Sequence, residues 1–146
     1  SVVVGRPWPI DQEPWPEEAV SEIEIDPAVL EALEGLEEFS HIWIVWWLDR
    51  SKGAPPSLKV RPEGRQEMPL VGLFATRSPR RPNPIAMTSV RLLAREGTRL
   101  RVSGLDAAQG TPVLDIKPYL RRGDCIPEAT MARWVDELWR LRDEGK

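Results

Sequence analysis

Residues 74–87, FATRSPRRPNPIAM, set Arg77, Arg80, Arg81 and Asn83 among Pro79, Pro82 and Pro84. Proline lacks an N–H, fixes its own φ and restricts the residue before it. A loop stiffened this way loses little entropy when it grips a ligand. Arginine supplies a planar fork that matches carboxylate and phosphate. Asn83 adds a donor and an acceptor for a base edge or an amide. Such a loop suits a ligand carboxylate, a nucleotide or an RNA backbone. The plainer alternative is a solvated loop with scattered salt bridges.

Other chemistries lack their residues. No Gly-x-Gly-x-x-Gly or phosphate-loop pattern occurs, so the common nucleotide-binding α/β folds have no support. His41 is the only histidine, which rules out a multi-histidine metal site within one chain, and it reads as structural. Cys125 is the only cysteine, so no intrachain disulfide forms; a reducing, cytoplasmic setting follows. It reads as an inert thiol. No stretch approaches the roughly 20 apolar residues of a membrane span. The net charge of −3 is segregated. Residues 13–38 are acidic, whereas 68–95 contain no acid and hold Arg77, Arg80, Arg81, Arg91 and Arg95. A wholly basic nucleic-acid binder is thereby disfavoured, but a local basic patch is not.

The elements that must position the arginine loop follow from pattern. Val2–Val4 reads as a first strand and RPWPIDQEPWP (6–16) as an extended loop. SEIEI (21–25) alternates as a half-buried strand does. Asp26 as N-cap and Pro27 at the first helical position start a short helix with Val29, Leu30, Leu33 and Leu36 on one face. HIWIVWWL (41–48) is apolar throughout and reads as a strand buried on both faces. SLKV (57–60) is an edge strand, and 70–76 a strand running into the arginine loop. Strands 85–94 and 99–105 flank a hairpin turn at REGT (95–98), and 111–119 is the last strand. Residues 128–142 have helical spacing, with Met131, Trp134, Val135, Leu138 and Leu141 on one face. The expected fold is mainly β: an antiparallel β-barrel with a short helix and a C-terminal helix, one domain over 1–146.

Three segments together carry a family resemblance: LEGLEEFSHIWIVWWLDRS, GLFATRSPRRPNPIAM and VSGLDAAQGTPVLDIKPY. From about Val2 to Tyr119 the chain resembles the TsaA-like, or TrmO, family. Its best-known members are S-adenosylmethionine-dependent tRNA methyltransferases acting on N6 of the threonylcarbamoyl-adenosine beside the anticodon. The resemblance implies a β-barrel methyltransferase working as a homodimer without a metal. It also implies cofactor contacts at Asp49, Arg50, Arg77, Met87, Ser103, Gly104, Leu105 and Asp106. Arg77 would pair with the carboxylate of the cofactor's methionine part, and Asp106 or Asp49 would accept from its amine or ribose. Met87 and Leu105 would line the adenine. Three departures stand out. Ala86 replaces the family's usual glycine, and Pro14-Trp15-Pro16 stands where a Pro-Arg-Gln segment is common. A C-terminal region found in many bacterial members, with any RNA grip it supplies, is expected to be missing.

Within that reading, Asp115 or Tyr119 of DIKPY (115–119) would take the proton released when the exocyclic amine is methylated. Alternation puts Asp115, Lys117 and Tyr119 on one face, which fits an internal Asp–Lys pair equally well. Arg80, Arg81, Asn83, Arg121 and Arg122 are candidates for tRNA contact. Trp43, Trp46, Trp47 and Trp134 read as core, whereas Trp8 and Trp15 suit base stacking, packing or a dimer interface. Two alternatives remain: a methyltransferase on a small metabolite, and a non-catalytic module binding the cofactor or RNA.

Overall fold

A computed structural model of the chain describes residues 4–9, 19–48 and 57–146, with the backbone alone at Trp8 and Pro9. The fold is mainly antiparallel β sheet with a few helical turns and one full helix. Six strands make the main sheet: β1 (Gly5–Pro9), β2 (Val20–Ile25), β3 (His41–Trp47), β6 (Ile85–Glu96), β7 (Arg99–Ser103) and β8 (Val113–Pro118). They run in the order β1-β2-β7-β6-β3-β8, and the pair Gly5–Val113 joins β8 back to β1. A separate small sheet pairs β4 (Lys59–Val60) with β5 (Val71–Gly72).

The alternation of apolar residues sets the inner face. Ile23 and Ile25 of β2, Ile42, Ile44 and Trp46 of β3, Val90 of β6, Leu100 and Val102 of β7 and Val113 of β8 fill the interior, each at most 7% exposed. Burying a side chain such as Ile42 contributes about 1.5–3 kcal/mol. The alternation predicted for residues 21–25 is present, as is the hairpin after β6, where Gly97 takes φ 56.

Several expectations need correction. β3 is buried on one face only: His41 is exposed, and Trp43, Val45 and Trp47 are half-buried on the outside. A continuously apolar run here therefore marks a half-buried sheet surface rather than a two-sided core. Trp43 uses its position to donate from Nε1 to Asp124 Oδ2 at 2.9 Å. Trp134 is half-buried against a smaller cluster, and of these tryptophans only Trp46 belongs to the core of the main sheet.

Residues 5–9 form a strand despite Pro7 and Pro9. β1 pairs with β2 along its length but touches β8 only at Gly5, so proline sits on an edge where a missing donor is tolerated. The remaining residues of the predicted 6–16 loop, and Val2 and Val3, lie outside the described residues.

The short helix is a 3-10 turn, Pro27–Leu33, capped as foreseen: Asp26 Oδ1 accepts from Ala28 N at 2.9 Å. The strand expected over 70–76 stops at Gly72. Thr76 closes a 3-10 turn, Leu73–Ala75, by donating from N and Oγ1 to the Leu73 carbonyl at 3.1 and 2.7 Å.

After a single turn, α1 (Arg121–Asp124), the C-terminal helix α2 (Arg133–Asp143) begins later than its periodicity predicts. Met131 is 53% exposed and takes no part in its buried face. Leu138 and Leu141 of α2 pack on Met68, and Arg142 ion-pairs with Glu63, the one non-glycine residue with positive φ among those described. Arg65 Nη2 donates to the Lys146 carbonyl at 2.6 Å.

Met68 is therefore the anchor of α2. Met68→Ala should cost about 2–5 kcal/mol. Hydrogen exchange should show lost protection in α2 with the main sheet retained. Unchanged protection in α2 would contradict this packing.

Candidate functional site

Every pairing in the main sheet is antiparallel, so strand directions alternate around it. The C-terminal ends of β1, β3 and β7 and the N-terminal ends of β2, β6 and β8 consequently share one end. Backbone bonds tie the connections there. Leu48 N donates to the Pro84 carbonyl at 2.7 Å, Trp47 N to Pro112 at 2.9 Å and Gly104 N to Ala19 at 3.1 Å. The arginine loop and the segment 103–112 thus meet at the same rim. Asp49 and Arg50, which follow Leu48, lie outside the described residues.

Within the loop the arginines differ. Arg81 Nη1 donates to the carbonyls of Thr76 at 2.9 Å and Ser78 at 3.1 Å. Its guanidinium carbon lies 5.7 Å from the ring centre of Phe74. Arg81 therefore braces the loop as well as charging it. Arg77 and Arg80 are exposed and have no ion-pair partner among the described residues. Asn83 is exposed, and its backbone carbonyl accepts from Ile85 N at 2.8 Å in a tight turn into β6.

A carboxylate is fixed nearby. Asp106 Oδ1 accepts from Thr88 Oγ1 at 2.7 Å, and Trp46 Nε1 lies 3.4 Å from the same hydroxyl. Gly104 at φ 89 makes the turn that brings Asp106 back to the rim. Ser103 is half-buried at the end of β7, and Leu105 is 2% exposed, so Leu105 forms part of the floor. Thr88 was not singled out from sequence. Its only trace there is a hydroxyl in an alternating strand, at a position shared with Ala86 and Val90.

The remaining candidates divide. Met87, Val45 and Asp115 form one row on the outer face, through the pairs Val45–Met87 and Val45–Asp115. Met87 is 53% exposed. Asp115 Oδ2 pairs with Lys117 Nζ at 2.7 Å, and its Oδ1 accepts from Ile116 N at 2.9 Å. Tyr119 lies beyond the other end of β8, roughly 20 Å along the chain from Val113 at a strand rise of about 3.3 Å per residue. It stacks at a tilt on Trp43, ring centres 5.9 Å apart, and near His41. Loss of solvent pushes its phenol up, as do the charges of Cys125 and Asp124. The Leu120 N–H and then the Trp43 indole hold the Asp124 carboxyl low. Arg121 and Arg122 are exposed in α1, away from the rim.

A cavity of about 470 Å³ lies at the opposite end, between residues 29–39 and β8. Val29, Leu33, Leu36 and Phe39 line it with Glu34, Glu38 and Asp115, and among the described residues no cation does. It does not suit a zwitterion that needs a cation for its carboxylate. Among the described residues, no group of three His, Cys, Asp or Glu side chains is placed to hold a metal, and no helix is long and apolar enough to cross a membrane.

Comparison with known proteins bears on this rim. A probable S-adenosyl-L-methionine-binding protein of Archaeoglobus fulgidus is 45% identical over 116 residues, covering 80% of this chain and 30% of that protein. One from Methanothermobacter thermautotrophicus is 48% identical over 106 residues, covering 73% and 74%. The human tRNA (adenine(37)-N6)-methyltransferase is 44% identical over 105 residues, covering 72% of this chain and 23% of the human protein. A crystal structure of TrmO from Pseudomonas aeruginosa superposes with a TM-score of 0.69 at 34% identity, covering 89% of this chain and 60% of that one. The chain thus spans about a third of the Archaeoglobus protein and three fifths of the solved one. Residues 8–125 match the tRNA-methyltransferase O N-terminal domain. With that match running through both the arginine loop and the 103–106 turn, the chain belongs to the tRNA-methyltransferase O N-terminal domain family.

Proposed function

We propose that this chain transfers a methyl group from S-adenosylmethionine to N6 of the threonylcarbamoyl-adenosine at position 37 of tRNA. The observation that supports it most is the meeting, at one rim, of the loop of Arg77 and Arg80, which have no ion pair among the described residues, and a carboxylate oriented by Thr88. The donor set fits the cofactor: a cation for its carboxylate, a carboxylate for its amine or ribose, and apolar surface for its adenine.

S-adenosylmethionine, when bound, supplies an activated methyl on its sulfonium. Arg77 would hold the carboxylate end as a charge-assisted pair. Asp106 would accept from the amine or a ribose hydroxyl, with Thr88 limiting its rotation. Met87 and the 103–105 turn would flank the adenine. Asp49 and Arg50, outside the described residues, join this set through the family resemblance. Arg80, Arg81 and Asn83 would face the RNA.

Asp115 is the better proton acceptor of the two candidates. It lies on the Met87 row, whereas Tyr119 sits at the far end with a phenol that holds its proton more tightly than usual. The work left to the protein is alignment of donor and acceptor and exclusion of water.

Three further parts belong to the proposal. The six-stranded sheet, joined through Gly5–Val113, is read as a barrel. The chain is read as a homodimer, because Ile85, Met87 and Leu93 are 45%, 53% and 43% exposed along one outer strand, a face that a second copy would cover. A cytoplasmic location suits a tRNA substrate and a single free thiol.

Incubation with S-adenosylmethionine and threonylcarbamoylated tRNA, followed by nucleoside mass spectrometry, should reveal a 14-dalton gain (one methyl replacing hydrogen, about 14 Da) on the modified adenosine. No gain on tRNA, with methyl transferred to a small metabolite, would favour the alternative substrate. Arg77→Ala should weaken cofactor binding roughly 10- to 100-fold by calorimetry, the scale of a hydrogen bond to a charged group. Unchanged affinity would remove Arg77 from the site. Asp115→Asn should lower kcat about 10²- to 10⁴-fold with little change in KM. An unaltered kcat would exclude Asp115 as the base.

A further inference from the structure

We infer that the ring of Phe74 is a stacking platform for an unpaired nucleobase of the RNA. This rests on the RNA reading above and extends it to a residue with no assigned role. Phe74 is 79% exposed, although phenylalanine gains most from burial. A single exposed apolar side chain is ordinary. What sets this one apart is how firmly its surroundings are built.

Phe74 is the middle residue of the 3-10 turn Leu73–Ala75. Leu73, 3% exposed, roots that turn, and Thr76 closes it through two bonds to the Leu73 carbonyl. The Arg81 guanidinium lies 5.7 Å from the ring centre, inside the roughly 6 Å reach of a cation–π contact. Arg81 is itself held by the carbonyls of Thr76 and Ser78. The ring is therefore presented by a braced cation, while most of it stays open to solvent.

The charge around it suits a polyanion. Arg77 and Arg80 are exposed on the same loop, and no acidic residue occurs from 68 to 95. An exposed aromatic beside cations that track phosphates is the arrangement by which proteins hold single-stranded nucleic acid. The anticodon loop, which holds the proposed acceptor, contains unpaired bases that can be splayed onto such a surface. Phe74 would then position the loop while the rim handles the methyl donor.

The test is fluorescence anisotropy with a labelled anticodon stem–loop RNA, on the wild-type chain and Phe74→Ala, Phe74→Leu and Phe74→Trp. Phe74→Ala should weaken RNA binding on the order of 5- to 100-fold, the scale of one lost base–aromatic stack. Phe74→Leu should stay weak and Phe74→Trp should recover, because stacking needs a π face. Cofactor affinity by calorimetry and the oligomeric state by sedimentation should not move in any variant. Wild-type affinity in Phe74→Ala, full recovery in Phe74→Leu, or a shift in oligomeric state would overturn the inference. The last two would identify an apolar protein contact instead. If the wild-type chain methylates RNA and Phe74→Ala binds it normally, this inference fails alone. If the wild-type chain neither binds nor methylates RNA, the function proposed above fails with it.

Discussion

The register between β3 and β6 is the constraint on which the rest depends. It sets Ile42, Ile44 and Trp46 opposite Val90, Thr88 and Ala86 on the inner face. A slip of one residue would turn Thr88 outward and Met87 inward, because side chains alternate with a period of two. Asp106 would lose the hydroxyl that orients it, and a flexible thioether would enter a tightly filled interior. Ile42 and Ile44 are fully buried, so burial energy fixes the register and the polar site inherits it. Fold and site are thereby locked to each other through one strand pair.

The arginine loop shows a division of labour among identical side chains. Three prolines limit the backbone, but they cannot hold a loop by hydrogen bonding, since they have no N–H. Arg81 supplies the missing bonds by donating to Thr76 and Ser78. That leaves Arg77 and Arg80 free of described ion pairs at the rim. Several arginines elsewhere are paired: Arg99 with Glu22 and Glu24, Arg95 with Glu37, Arg140 with Glu137 and Glu144. Those exposed pairs contribute little to stability. The loop therefore carries a local excess of positive charge, with no acid from 68 to 95, in a chain whose net charge is −3.

Local signals carried much of this in advance. Alternation marks β2, Asp26 and Pro27 mark the start of the 3-10 turn, and Gly97 marks the hairpin. What escaped depends on distant partners. Pro7 and Pro9 look like loop until β1 is seen to pair with β8 only at Gly5, leaving its prolines no strand partner on that side among the described residues. The run at 41–47 looks buried on both faces until the outer side is found only half-buried, because tryptophan writes the same letter in a core and on a sheet surface. Thr88 and Asp106 are 18 residues apart, and no local rule joins them. The two proton-acceptor candidates also look alike in sequence; only the course of β8 separates Asp115, in the Met87 row, from Tyr119 beyond the end of the strand.

The central claim is that the rim holds the methyl donor, although the cavity of about 470 Å³ lies at the opposite end. A crystal structure of the chain grown with S-adenosylhomocysteine, the demethylated form of the donor, tests it directly. The account predicts density for that ligand between Arg77, Asp106 and Met87, with its carboxylate toward Arg77. Density in the cavity beside Leu33 and Phe39, with the rim empty, would contradict it.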